Sequence, residues 1–321
     1  MTSRSGFTPH GYGIAPPHYR LPDATRLGRV QLQVADLTRS VRYYRDVVGL
    51  RVLTNAAGTA SMGAQGGTDV LLELVELPGA APVPPRGRLG LFHVAILLPD
   101  RAALGRFLSH LADIDEHAGM SDHLVSEALY LTDPDGIGLE IYADRPRAQW
   151  TVRGQELAMA TEPLDVRSVL AAAHGEPWTG APIGTRIGHV HLHVGDLVQG
   201  AAFYHEALGF DKTVWQYPGA LFLAAGGYHH HLGTNTWARG AEPARATEAR
   251  MLSWEILVPS ALDLHALRDN LVATGVVMDI DGSEHALFAA DPWGTRVRVR
   301  ADIVGADTAH VDTDLGATSG P

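Results

Sequence analysis

Two histidines and a glutamate occupy matching places in a repeated pattern, and together they could hold a divalent metal. His93 opens the stretch HVAILLPDR and His189 opens HVHLHVGDL, each seven positions before an Asp. Glu140 stands seven positions after Asp133 of an Asp-Pro turn. Two imidazoles and one carboxylate on one side of a metal form the facial set of non-haem Fe(II) oxygenases, with positions left open for substrate and O₂. Mn(II) is the alternative that the same donors serve. His191 shares the strand face of His189 and is its local rival, but the register favours His189.

The elements that must position these residues recur four times. In the first copy RVQLQVADL has Arg29 at the histidine position, and in the fourth the corresponding residue is Ser253. The fourth copy's Asp-Pro turn, Asp291-Pro292, is followed seven positions later by Arg298. Arg29, Ser253 and Arg298 cannot take the place of the ligands, so copies two and three are expected to face each other around the metal. Copies one and four would form a structural pair. Strand alternation puts His93, Ala95 and Leu97 on one face and Val94, Ile96 and Leu98 on the other, where aliphatic side chains suit packing against helices.

Each copy reads as β-α-β-β-β. Helical spacing predicts helices over 37–44, 101–111, 197–204 and 261–274, the first and third ending in glycine turns at Gly49 and Gly209. Strands are expected over 70–75, 128–132, 138–142, 220–224, 229–236 and 296–300. The modules lie near 28–78, 90–143, 186–237 and 252–301. They group into an N-terminal domain, 26–146, and a C-terminal domain, 184–303, joined by a connector over 147–183. Residues 1–25 and 304–321 lack patterning and are expected to be peripheral arms.

Composition narrows the class. At 321 residues, with 45% hydrophobic and 19% charged residues, the chain has room for two ordinary globular domains. The absence of cysteine excludes zinc-thiolate and iron–sulfur sites within it. A net charge of −11 argues against nucleic acid as a partner. No apolar run is long enough for a transmembrane helix and the N-terminus carries no hydrophobic signal core, so a cytoplasmic location and no membrane partner are expected.

The fourfold repeat resembles the vicinal oxygen chelate superfamily, which includes glyoxalase I, fosfomycin-resistance proteins and extradiol dioxygenases. The resemblance extends over most of residues 28–301. It is strongest to two-domain catechol 2,3-dioxygenase-like proteins, through His123–Leu131, Asp133–Glu140 and Gly227-Tyr228-His229-His230-His231. It implies an α+β fold of four βαβββ modules in two paired domains, each a curved open mixed-sheet barrel with helices outside. It also implies Fe(II)-dependent extradiol cleavage of a catechol by O₂, as in bacterial aromatic degradation.

On that resemblance His123 and Tyr130 would handle the catechol proton and orientation. The acid–base histidine would be His230, chosen from His229, His230 and His231 by aligning the His-x-Leu ending. It would hydrogen-bond the oxygen species and return a proton during ring insertion. His191, Asn235 and Trp237 are expected to shape the pocket. These folds often pair, so a homo-oligomer is expected. The alternatives are a glyoxalase-type metal-dependent lyase or isomerase and a metal-free small-molecule-binding protein. The first would prefer four protein ligands, and the third copy offers no acid on its closing strand. The three-ligand set and the histidine cluster count against the second.

Overall fold

A computed structural model describes residues 8–280 and 285–302. The first module comprises β1 (Arg26–Val34), α1 (Leu37–Asp46), β2 (Arg51–Ala56), β3 (Thr59–Gly63) and β4 (Leu72–Glu76). The second comprises β5 (Gly90–Leu97), α2 (Arg101–Asp113), β6 (Gly119–Asp122), β7 (Ser126–Thr132) and β8 (Gly138–Asp144). The connector carries the short pair β9 (Val152–Arg153) and β10 (Glu156–Leu157), then α3 (Val166–Ala172). The third module has β11 (Arg186–His193), α4 (Leu197–Ala201), β12 (Asp211–Val214), β13 (Ala220–Ala224) and β14 (Leu232–Asn235). In the fourth are β15 (Arg250–Val258), α5 (Ala261–Ala273), β16 (Met278–Ile280), β17 (Ala286–Ala290) and β18 (Arg296–Ala301).

The Asp that ends each repeated stretch begins a helix. Asp36, Asp100 and Asp196 are N-caps whose carboxylates accept backbone N–H bonds from the first turns of α1, α2 and α4, and Ser260 caps α5. Each cap satisfies a donor that the helix start would otherwise leave unpaired.

Two eight-stranded mixed sheets result, and each crosses between the two halves of the chain. One has the order β12-β13-β14-β11-β5-β8-β7-β6 and the other β16-β17-β18-β15-β1-β4-β3-β2. Modules two and three therefore share one sheet through the antiparallel β5–β11 seam, the pairing expected from the repeat. Modules one and four share the other through β1–β15. The outer faces of the central strands, with Val94, Ile96, Leu98, Val190, Leu192 and Val194, are buried in one large apolar core.

The second sheet fills its ligand-equivalent positions with ion pairs. Arg298 pairs with Glu255, and the Arg300 Nε lies 3.1 Å from the same Glu255 oxygen. Arg29 reaches Glu73 at 3.0 Å.

Several local expectations give way to turn geometry. The helix of the third module, α4, ends its α segment at Ala201 and continues as a π turn over Ala202–Ala207. The expected strand 229–236 begins only at Leu232, because Gly226 and Gly227 take φ of 62° and 60° in a tight turn. His229 and His230 therefore do not alternate across a sheet. The first arm is not loose: over its described part, Leu21 is buried and Arg20 makes an ion pair with Asp211 at 2.7 Å. The segment 304–321 lies outside the described residues. No described helix is long and apolar enough to cross a membrane.

Candidate metal centre and catalytic cavity

His93 and His189 each stand fourth in their strands, as Arg29 does in β1. The β5–β8 register puts Glu140 beside Ala95, and the β5–β11 register puts His189 opposite the same Ala95. The methyl side chain of Ala95 leaves room over which the three polar groups converge. His93 Nε2 lies 2.9 Å and His189 Nε2 3.1 Å from Glu140 Oε2. One donor atom from each residue falls within a 4.8 Å cluster, the group of that kind found among the described residues.

The sheet is adjusted locally to seat this cluster. The β5–β11 register shifts between Ile187 and His189, a bulge around Gly188 that re-aims the strand at His189. A Cβ at Gly188 would come within 1.8 Å of the Tyr142 hydroxyl, so glycine is needed there for close approach.

The arrangement suits a cation. Ligands about 2.1 Å from a metal and at right angles to each other are about 3.0 Å apart, matching both nitrogen–oxygen separations. His93 Nε2 is buried and, despite its 2.9 Å distance to Glu140, is not aligned to donate a hydrogen bond. Burial alone would push the Glu140 carboxyl up, but the facing His189 and His93 imidazoles hold it well below the usual carboxylate range. Burial lowers His189 to about 4, partly opposed by the Glu140 charge. An anionic carboxylate facing a neutral imidazole is a protonation state in which divalent metals bind both groups.

The triad lines a cavity of about 350 Å³. Phe92, Met159, Tyr217, Phe222 and Trp237 supply much of its wall, and among the described residues no Lys or Arg lines it. A wider cleft of about 490 Å³ shares Phe92 with this cavity but none of the triad.

His123 and Tyr130 are brought together in the wall of the same cavity. His123 belongs to the turn before β7 rather than to the strand itself, because Leu124 takes φ of 68°. Its Nδ1 lies 2.7 Å from the Ala160 carbonyl and its Nε2 2.6 Å from the Tyr130 hydroxyl. A carbonyl only accepts, so Nδ1 carries the hydrogen and Nε2 accepts from Tyr130. The Tyr130 oxygen keeps lone-pair capacity toward the cavity. Burial, reinforced by the Glu140 charge, pushes its hydroxyl pKa well above the ordinary tyrosine value.

His230 lines the same cavity, its ring centroid 4.1 Å from that of His189. Burial, then the neighbouring histidines, hold it well below the ordinary imidazole range. His191 also lines the cavity and takes a hydrogen bond from Asn235 Nδ2 at 2.9 Å. Trp237 forms part of the wall, but Asn235 does not: it sits fully buried behind His191 and His193 and orients them. Met159, Ala160 and Thr161 come from the connector and carried no pattern that would place them at a site. Asp144 and His229 also reach this region, joined at 2.9 Å. Asp144 could have been found, since strand periodicity puts it on the face of Glu140 and Tyr142.

The profile of the Glyoxalase/Bleomycin resistance protein/Dioxygenase superfamily matches residues 26–141 and 186–299. A Bacillus subtilis strain 168 protein named catechol-2,3-dioxygenase is 42% identical over 272 residues, covering 84% of this chain and 94% of its own length. A solved putative dioxygenase from Bacillus subtilis superposes with a TM-score of 0.60 at 12% identity, covering 89% of this chain and 87% of its own. Glyoxalase I from Zea mays gives 0.50 at 18% identity, covering 87% and 92%. These two structures share the fold.

Proposed function

The chain belongs to the Glyoxalase/Bleomycin resistance protein/Dioxygenase superfamily, and from that footing we propose that it is an extradiol ring-cleaving dioxygenase. The proposed reaction is Fe(II)-dependent cleavage of an uncharged catechol by O₂, within the cytoplasm. The observation that carries this reading is a three-donor facial cluster, His93, Glu140 and His189, in the wall of a cavity also lined by His123, Tyr130 and His230. The 42% identical relative named catechol-2,3-dioxygenase supports it.

Bound by those three residues, ferrous iron would supply Lewis acidity to the vicinal hydroxyls and an open side for O₂. The protein's own groups do the remaining work. Tyr130, fixed as a donor to His123, presents its oxygen to a substrate hydroxyl and orients the ring. Phe92, Phe222 and Trp237 pack around the ring and exclude water. His230, neutral through burial, takes a proton at the cavity and returns it as the ring opens.

The test is anaerobic purification, loading with Fe(II), and addition of catechol in an oxygen-electrode cell. O₂ uptake with a yellow ring-fission product is expected. No uptake across a panel of uncharged catechols would reject the proposal, and turnover of a methylglyoxal hemithioacetal would replace it with a lyase reading.

A further inference from the structure

We propose that Asp144 and His229 act as positioning residues that fix the tautomer of His230, so that its Nε2 lone pair faces the catechol cavity. The inference rests on the reading of His230 as the acid–base group given above. It starts from an unusual contact: His229 Nδ1 and His230 Nδ1 lie 2.7 Å apart. Two neutral imidazoles can make that contact only if one ring donates and the other accepts.

Asp144 decides which. His229 Nε2 is 2.9 Å from Asp144 Oδ1, and a carboxylate only accepts, so the His229 hydrogen sits on Nε2. A neutral His229 with its hydrogen on Nε2 has a bare Nδ1, which can only accept. His229 Nδ1 is therefore the acceptor and His230 Nδ1 the donor. A neutral His230 with its hydrogen on Nδ1 has a bare Nε2, and the cavity that His230 lines is where that lone pair is needed.

The carboxylate that sets this order is itself held in place. Tyr228 donates its hydroxyl to Asp144 Oδ1 at 3.0 Å, and the Tyr142 hydroxyl lies 2.7 Å from that of Tyr228. With the Tyr228 hydrogen committed to Asp144, Tyr142 is the donor in the second bond. In the chain Tyr142, Tyr228, Asp144, His229, His230 every link thus has an assigned donor, and donation converges on the Asp144 carboxylate from both ends. It joins module two to module three, since Tyr142 and Asp144 lie on β8 and the others precede β14. The side chain of Asp144 is 27% exposed, so the chain meets solvent at this carboxylate and reaches the cavity at His230.

The test reads ring-nitrogen shifts directly. Full-length protein with ¹⁵N-labelled histidine is recorded metal-free and loaded with diamagnetic Zn(II), and two-bond proton–nitrogen correlations distinguish the two tautomers. Wild type should show His230 with hydrogen on Nδ1 and none on Nε2. Asp144→Ala should move His230 to the Nε2–H form or an exchanging mixture, while Tyr228→Phe, which keeps the Asp144–His229 bond, should leave it unchanged. With catechol and Fe(II), Asp144→Ala and His229→Phe should lower kcat at least about tenfold with KM altered less than about threefold.

A wild-type His230 carrying its hydrogen on Nε2 overturns the proposal, and so does an unchanged tautomer in folded Asp144→Ala. The wild-type spectrum decides even where a variant fails to fold. The expected tautomer in a protein that consumes no O₂ would reject the dioxygenase reading and leave this one standing. O₂ uptake with the opposite tautomer would do the reverse.

Discussion

Glu140 is the point at which two strands from different halves of the chain meet, because its Oε2 faces both His93 and His189. Removing His189 takes away a proposed ligand, whereas removing His191 takes away a cavity wall and the group that Asn235 orients. His189→Ala is expected to weaken Fe(II) or Mn(II) binding more than about a hundredfold, and His191→Ala less than about tenfold, by titration calorimetry under anaerobic conditions. Equal losses would show that the strand register assigns the wrong histidine. The missing cationic side chain in the cavity wall bears on specificity at the same scale. A catechol bearing a carboxylate should show kcat/KM at least about tenfold below that of its methyl counterpart, because its charge would be buried without a partner. The triad was legible because each of its members repeats a register position. Asn235 and the His229–Asp144 pair were not, because their roles depend on partners more than 40 residues away, at separations of 42, 44 and 85 positions.

Among the elements, the Asp-Pro turns show how one module braces the next. Asp133 accepts from the backbone of Asp135 and Ile137 and from the Tyr44 hydroxyl of α1. Asp291 does the same with Trp293, Thr295 and Tyr204, so both halves repeat the device. Burial pushes the Asp133 carboxyl up to about 6, against the lowering effect of its hydrogen bonds. The folded state then binds the extra proton between about pH 4 and 6, and stability from this group falls as pH rises through that window. The full penalty above it is about 3 kcal/mol. Relative to Asp133→Asn, the wild type should therefore lose about that much stability between pH 4 and 7 in urea unfolding. Parallel profiles would reject the assignment. Helices and central strands were readable from periodicity and caps. The histidine-rich turn was not, since Gly226 and Gly227 interrupt what reads in sequence as a strand.

Across the whole molecule, the sheets join what the chain order separates. A fragment ending near residue 146 contains β5 without β11 and β1 without β15, and it holds His93 and Glu140 without His189. Each half expressed alone is expected to bind Fe(II) at least about a hundredfold more weakly than the intact chain. Mixing the halves should restore binding and the native circular-dichroism spectrum. Tight metal binding by either half alone would contradict the shared centre. The fourfold repeat and its pairing were visible because asymmetric edits left donors only in modules two and three. The packing of the N-terminal segment was not, because its contacts through Leu21 and Arg20 have no periodic signature. The β5–β11 seam has a further consequence: a cation held by His93, Glu140 and His189 would work as a staple between halves as well as a reagent. At a free concentration a hundredfold above its dissociation constant it would add about 2.7 kcal/mol to folding. Iron scarcity would then reduce the protein's lifetime along with its turnover, tying the amount of enzyme to the supply of metal.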